Sequence, residues 1–519
     1  MTDLFLNIDT SSINWARAQF ALTAIYHWLF VPLTLGLAVI MGICETLWYR
    51  KRDTFWRDCA KFWQRLFGIN FAMGIATGII LEFEFGTNWS NYSWFVGDIF
   101  GAPLAIEGIV AFFMESTFVA VMYFGWKKVS PGFHLAATWL TGLGATISAW
   151  WILVANAWMQ YPVGCEFNPD TMRNEMVSFF DVALSPFAID KFCHTVISAW
   201  IIGAVFVVAV SCWYLMKKRE TKLATESIKI AAIVGLVASL GAAMTGHKSA
   251  QSVSEVQPMK LAAMEALYDG GNGEGLAIIP GVKVPYALSF MATNDFEGYV
   301  PGINNILNGY TKADGTQEPS VDEKIERGKQ ALNALAEYRK GKQEHADPTI
   351  LNSKLTVIRE NMKYFGYGYV KDKNDVVPPV WVNFWAFRIM VGLGCLFILF
   401  FAVIIAVSYK FPKVLLQKYD ITTLPAWHYW IAIALVPLAY IASESGWLVA
   451  EFGRQPWTIQ DMLPTWVAVS DVESFSVALT FFLFLFLFTL MLCVEINILL
   501  KQIKRGPEYT DNSSLNSNL

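Results

Sequence analysis

The chain has 519 residues, of which 55% are hydrophobic, 15% aromatic and 16% charged, and its mean hydropathy is +0.40. A soluble chain is about 45–50% apolar and about 25% charged, so an ordinary water-facing protein is excluded. Lys+Arg 39 against Asp+Glu 43 leaves a net charge of −4, and without a basic excess no nucleic-acid partner is expected. The seven cysteines form no C-x-x-C pair. A disulfide framework, a zinc or iron–sulfur site and covalent haem attachment are therefore excluded, and the thiols read as small apolar fillers. Residues 1–17 carry Asp3 and Asp9 but a single cation, Arg17, so no cleavable signal is expected.

A bilayer core requires about 20 apolar residues per helix. Nine stretches qualify in chain order: Phe20–Leu47, Phe62–Phe83, Ile99–Gly125, His134–Asn156, Phe192–Met216, Ile228–Gly246, Trp385–Val407, His428–Val449 and Phe475–Leu500. Each is twice a barrel strand's length and lacks period-2 alternation, which selects helices. The predicted fold is an all-α polytopic membrane protein with nine transmembrane helices. Six helices fall within 1–246, a long connection spans 247–384, three helices fall within 385–505, and 506–519 is a polar tail expected to be disordered in the cytoplasm.

Cations set the orientation. The connections after spans one, three, five and seven, with the C-terminal tail, carry 19 Lys/Arg, including Lys413 and Lys418. The short segments at the other end carry only Arg17, Arg173, Lys191 and Arg454. The N-terminus is thus expected outside and the C-terminus in the cytoplasm. The connection over 247–384 holds 15 Lys/Arg and 17 Asp/Glu, which marks a solvated outer region whose length suggests function. Within it, Asp322–Lys342 alternates charge around Leu332 and Leu335 and predicts an exposed amphipathic helix.

Ionisable groups inside spans are costly and are functional candidates. Of six histidines, His134, His247 and His428 fall at span ends, where a wet interfacial role suffices, and His345 lies in the long connection. His27 sits about 10 Å into the first span and reads either as a hydrogen-bonded core residue or as a metal or haem ligand. His194 opens the fifth span and allows both an interfacial and a ligand reading. Glu107 and Glu115 are roughly 80° apart on the third helix. They suit a proton relay, or a pair of protonated structural acids. His27, His194, Met390 and Glu451 come from four different spans yet map to the outer half of the bilayer. Arg388 and Arg454 map there too and could neutralise carboxylates such as haem propionates.

Several motifs resemble subunit I of the cytochrome bd-type quinol oxidases. They are Arg17-x-Gln19-Phe20-Ala21-Leu22-Thr23 running to Tyr26-His27, Gly86-Thr87-Asn88-Trp89-Ser90, Gly101-Ala102-Pro103-Leu104-Ala105-Ile106-Glu107-Gly108, Phe387-Arg388-Ile389-Met390 and Gly453-Arg454-Gln455-Pro456-Trp457. The match runs across all nine spans, and the long connection is similar to the family's long-form quinol-binding loop. The resemblance implies two haems b and one haem d in the outer half of the bundle. His194 and Met390 match the axial pair of the low-spin haem b, Glu451 the ligand of the high-spin haem b, and His27 that of haem d. A His/Met pair fills both axial positions and suits electron transfer. Glu107 matches a residue beside the oxygen-reducing haem, and Glu115 a carboxylate on the cytoplasmic proton path, with Ser116 and Ser148. Lys260 and Glu265 match residues of quinol oxidation, and Arg388, Arg454 and Trp447 complete the implied catalytic set.

The implied activity is a respiratory quinol:O2 oxidoreductase of the bacterial inner membrane. It would release quinol protons outside and take protons for water formation from the cytoplasm. The implied partners are membrane quinol, O2, a second multispan subunit and one or more single-span peptides. Two other readings remain at this stage: a quinol-linked haem b electron-transfer protein that does not reduce O2, and a multispan proton-coupled transporter, for which paired, Gly/Pro-broken halves are expected and not seen.

Overall fold

The computed structural model describes residues 10–411 and 420–509. Asp3, Asp9, Lys413, Lys418 and the tail from residue 510 lie outside the described residues. Among the described residues, nine helices are long and apolar enough to cross a membrane. They are Thr10–Lys51, Thr54–Thr87, the composite Asp98–Ile106, Glu107–Phe112 and Phe113–Phe124, then Pro131–Gln160, Pro186–Met216, Thr221–Val256, Val380–Tyr409, Ala426–Phe452 and Ser474–Arg505. Starts follow local chemistry: the Asp53, Ser130 and Ser185 side chains accept from the backbone N–H groups of Phe55, Phe133 and Ala188, satisfying donors that a helix start leaves unpaired.

The spans form a bundle in which the first packs on the second and fifth, the third on the fourth, the fifth on the sixth most extensively and also on the eighth, the seventh on the sixth and eighth, and the ninth on the first and second. Its core is a continuous apolar cluster through spans one, two, five, six, seven and eight, with Phe62, Trp63, Phe67, Tyr214 and Phe401 fully buried. The first and fifth spans cross at two glycines. A Cβ on Gly36 would stand 2.6 Å from the Gly203 Cα, and one on Gly203 would stand 2.5 Å from the Gly36 backbone.

Two spans depart from the sequence expectation. The sixth helix does not end at Gly246. It runs on to Val256, turns at Gln257 and continues as Pro258–Glu265, because no proline or glycine breaks the chain before Pro258. In the third span one π-helical turn, Glu107–Phe112, interrupts the α-helix. Its wider winding removes the 80° relation expected of Glu107 and Glu115 on an unbroken helix, and such turns concentrate at functional sites.

The long connection is folded. Its main helix, Val321–Gln343, is capped by Ser320. It buries Val321, Ile325, Ala331, Leu335 and Tyr338, while its charges face outward. The predicted helix is present, but one face is packed, chiefly on the 3₁₀ segment Met362–Tyr369. Short antiparallel strand pairs, such as Leu276–Ile279 with Val282–Val284 and Tyr310–Thr311 with Gln317–Glu318, and short helices, the longest Pro348–Asn361, make up the remainder. At the opposite, cation-rich end, the first residues of the expected tail are tied down. Gly506 O accepts from Arg65 (2.7 Å), and Glu508 pairs with Arg65 (3.1 Å) and Arg505 (2.7 Å).

Gly36→Ala and Gly203→Ala should each destabilise the protein by about 1–3 kcal/mol through forced separation of two backbones. Gly392→Ala, which meets nothing within 4 Å, should be near neutral. Thermal unfolding in detergent measures the difference.

Candidate functional site

Three histidines of the spans, His134 buried and His27 and His194 half-buried, separate by their hydrogen bonds. His134, expected at a wet interface, is instead 1% exposed. Its Nδ1 lies 2.6 Å from Glu45 Oε1, and its Nε2 lies 3.0 Å from the Met122 carbonyl. Glu45, fully buried, also accepts from Gln64 Nε2 (3.1 Å) and Thr138 Oγ1 (2.6 Å). Both ring nitrogens are therefore engaged and the residue is structural. The sequence reading missed Glu45, whose signal was an acid inside the first span.

His27 and His194 are each held by one nitrogen. His27 Nδ1 lies 3.0 Å from Thr77 Oγ1, and His194 Nδ1 lies 3.1 Å from Thr245 Oγ1. Neither Nε2 has a hydrogen-bond partner among the described residues. A Cβ built on Gly78 would come within 3.0 Å of His27 Cε1, one on Gly246 within 3.2 Å of His194 Cε1, and one on Gly446 within 3.0 Å of Met390 Sδ. Each candidate donor thus rests in a cradle that a methyl group would fill.

Glu451 closes the eighth span. Its Oε1 accepts from Asn156 Nδ2 (3.0 Å) and its Oε2 from Arg454 Nη2 (2.5 Å). Each carboxylate oxygen has two lone pairs, so one on each remains. The residue borders a cavity lined by Arg17, Phe20, Trp89, Tyr92, Trp447 and Arg454 among others. Four buried donors on that lining have no partner among the described residues: Arg454 Nε and Nη1, Tyr92 OH and Trp89 Nε1. Unsatisfied donors around a carboxylate in an aromatic cavity fit an acidic, flat ligand such as a propionate-bearing porphyrin. Trp447, one turn before Glu451, stacks on Trp28 at 6.3 Å and 15°, and Trp28 Nε1 donates to Ser443 (2.8 Å). This aromatic pair joins the His27 helix to the Glu451 helix.

Arg388 is placed differently from Arg454. Its Nη2 pairs with Glu265 Oε2 (2.7 Å) and donates to Ala277 O (2.6 Å), its Nε also donates to Ala277 O (3.0 Å), and its Nη1 donates to Met264 O. It fastens the Pro258–Glu265 helix to the seventh span rather than facing an open cavity. Glu265 Oε1 is buried and unpartnered. Burial pushes its carboxyl above the ordinary range, and the Arg388 guanidinium pulls the other way without prevailing. Lys260, 3% exposed, donates to Gln160 Oε1 (2.6 Å) and Gln257 Oε1 (2.8 Å). Burial holds its ammonium well below the usual lysine range, and Lys191 and Arg454 add to the effect. Gln160 Nε2 donates to Asn156 Oδ1 (3.0 Å), so one unbroken chain of hydrogen bonds runs Lys260–Gln160–Asn156–Glu451–Arg454. Gln160 and Asn156 were missed in the sequence because amides at a helix end carry no distinctive signal.

On the third span, Ser148 Oγ donates to Glu107 Oε1 (2.5 Å) and not to Glu115, and Ser116 Oγ donates to the Phe113 carbonyl (3.2 Å). Glu107 Oε2 is buried without a partner. Glu115 is buried with its Cβ against Gly144.

Breaking the Glu45–His134 pair should cost about 1–3 kcal/mol, because a buried polar partner is left without its hydrogen bond. Glu45→Leu should therefore lower the unfolding temperature sharply without any first effect on the Glu451 cavity.

The family described as cytochrome bd terminal oxidase subunit I matches residues 15–507. The chain is 39% identical over 527 residues to the cytochrome bd-II ubiquinol oxidase subunit 1 of Escherichia coli strain K12, covering 95% of this chain and 97% of that one. It is 35% identical over 515 residues to the cytochrome bd ubiquinol oxidase subunit 1 of Bacillus subtilis strain 168, covering 97% and 96%. Its fold superposes on the bd oxidase structure from Geobacillus thermodenitrificans with a TM-score of 0.76 at 21% identity, over 96% of this chain and 99% of that one. The nine-helix bundle and the full-length match lead to one conclusion: this chain belongs to the cytochrome bd terminal oxidase subunit I family.

Proposed function

We propose that the chain is the haem-bearing subunit of a quinol:O2 oxidoreductase in a bacterial cytoplasmic membrane, with three haems set towards the outer face. The observation that carries the reading is that Nδ1 of both His27 and His194 is engaged by a threonine while Nε2 makes no hydrogen bond among the described residues. On this reading His194 and Met390 would hold a low-spin haem b, Glu451 a high-spin haem b and His27 a haem d. When bound, these groups supply one-electron transfer and O2 reduction. Arg454 and Tyr92 offer their spare donors to propionates, and Trp447 with Trp28 keeps the space between the His27 and Glu451 sites dry and rigid. Two oxidase subunits among the relatives act on ubiquinol by name, which supports quinol as the reductant.

The chain's own residues handle protons at both ends. On the loop, Glu265 Oε1 is placed to accept a quinol hydroxyl proton, while Arg388 keeps the carboxyl oriented through Oε2. Lys260 holds the wall of the site through Gln160 and Gln257. Quinol protons leave on the outer side, where the loop stands. Within the third span, Glu115 passes protons from the cytoplasmic side to Glu107, which Ser148 orients. The siting of the two half-reactions then separates charge. The remaining partners of this reading are a second multispan subunit and one or more single-span peptides, which cover the exposed apolar outer face of the bundle.

Quinol-driven O2 uptake by the purified complex tests the activity. Glu265→Gln should lower turnover by roughly 10²-fold, the share of a positioned base, with haem spectra unchanged. Because the Glu265 carboxyl is raised, the wild-type rate should fall as pH drops through its pKa and the base is protonated. That acid limb should sit above the ordinary glutamate value and disappear in the variant. Glu115→Gln should slow O2 reduction at normal haem content; full turnover in that variant would remove Glu115 from the proton path.

A further inference from the structure

The His27 and His194 contacts have the same construction, repeated on separate helix pairs. His27 on the first span faces Thr77-Gly78 on the second, and His194 on the fifth faces Thr245-Gly246 on the sixth. The histidine and its threonine are 50 residues apart in one case and 51 in the other. In both, a Thr-Gly dyad on the next helix meets the Nδ1–Cε1 edge of the ring. Resting on the reading of these histidines as axial donors, we infer that Thr77-Gly78 and Thr245-Gly246 are two copies of one positioning device, which fixes Nδ1 as the protonated nitrogen and turns an unprotonated Nε2 to the iron.

The proton count argues this. A threonine hydroxyl has one hydrogen and two acceptor lone pairs. Thr77 Oγ1 lies 3.0 Å from the Met73 carbonyl and 3.1 Å from the Gly74 carbonyl; Thr245 Oγ1 lies 2.9 Å from Gly241 O and 3.3 Å from Ala242 O. Those carbonyls only accept, so each hydroxyl spends its hydrogen on its own helix. What it offers the ring is a lone pair; the Gly74 and Ala242 carbonyls, which also bond the two rings, can only accept as well, so Nδ1 donates. The opposite tautomer would leave an Nε2–H without an acceptor inside an apolar bundle, at the cost of an unmade buried hydrogen bond. The glycine supplies the second half of the device. A Cβ on Gly78 or Gly246 would push on Cε1 at 3.0 or 3.2 Å and tilt Nε2 off its axis.

The Nδ1–H···Oγ1 bond makes the imidazole a stronger donor, which favours ferric iron. Losing it should raise the midpoint potential and weaken the iron–nitrogen bond. Thr245→Val in the intact oxidase should keep a low-spin haem in the optical spectrum but shift its midpoint potential upward in a redox titration, while Thr245→Ser stays at the wild-type value. Thr77→Val should move the ferrous iron–histidine stretch to lower frequency in resonance Raman spectra, and Thr77→Ser should not. Valine variants that hold their haems with unshifted potential and stretch would overturn the inference. If they do not assemble, electron–nuclear double resonance on the unaltered oxidised protein, in H2O and D2O, must find an exchangeable, hydrogen-bonded proton on the axial imidazole. A ring without one overturns the inference equally. The underlying ligand reading is judged apart, by His194→Ala: loss of the low-spin signal upholds it, and its persistence removes it whatever the threonines do.

Discussion

The arrangement depends on one kind of hydrogen bond: a threonine oxygen that engages a single edge of a membrane-buried imidazole. In a bilayer core a polar atom finds its partner within the protein or goes without. His134 meets that demand at both nitrogens, through Glu45 and the Met122 carbonyl, and is thereby chemically silent. His27 and His194 meet it at Nδ1 alone. Their second nitrogens make no hydrogen bond among the described residues, and the proposed function gives them to iron. Three histidines are thus sorted by a count of partners into one scaffold residue and two proposed ligands.

The second constraint is electrostatic. Glu451 is flanked by Arg454 directly and by Lys260 through two amides. Buried Lys260 and Arg454 and half-buried Glu451 are held in register by hydrogen bonds as well as by charge, which is the condition under which buried charges are tolerated. The same chain couples the loop helix Pro258–Glu265 to the end of the eighth span. Arg388 makes a parallel tie from the seventh span to Glu265. The proposed quinol site is therefore bolted to the redox bundle at two points, so substrate binding and the Glu451 cavity share one rigid frame.

Much of this was legible in the sequence, for physical reasons. Membrane spans are long apolar runs, and a run such as Phe475–Leu500 has no other stable form in lipid, so the nine-helix fold could be read directly. His27, His194 and Glu451 stood out because ionisable groups are rare there. What stayed hidden was relational. The partners of His134 lie on other helices, so its position at the end of its predicted span suggested water where the fold supplies Glu45. The π turn at Glu107 leaves no compositional trace, and it altered the expected geometry of the two glutamates. Ser148 faced Glu107 rather than Glu115 for the same reason. Thr77 and Thr245 are ordinary helix residues until the neighbouring span brings a ring to them, and Arg388 is a free cation on paper but a fastener in space.

The central claim is that single donors from separate spans hold haems, one of them with an open position for O2. The most direct measurement is the reduced-minus-oxidised optical spectrum of the purified complex, recorded with and without carbon monoxide. The account predicts low-spin haem b bands that ignore the gas together with a chlorin band that shifts on adding it. Haem b bands alone, all unmoved by carbon monoxide, would contradict it.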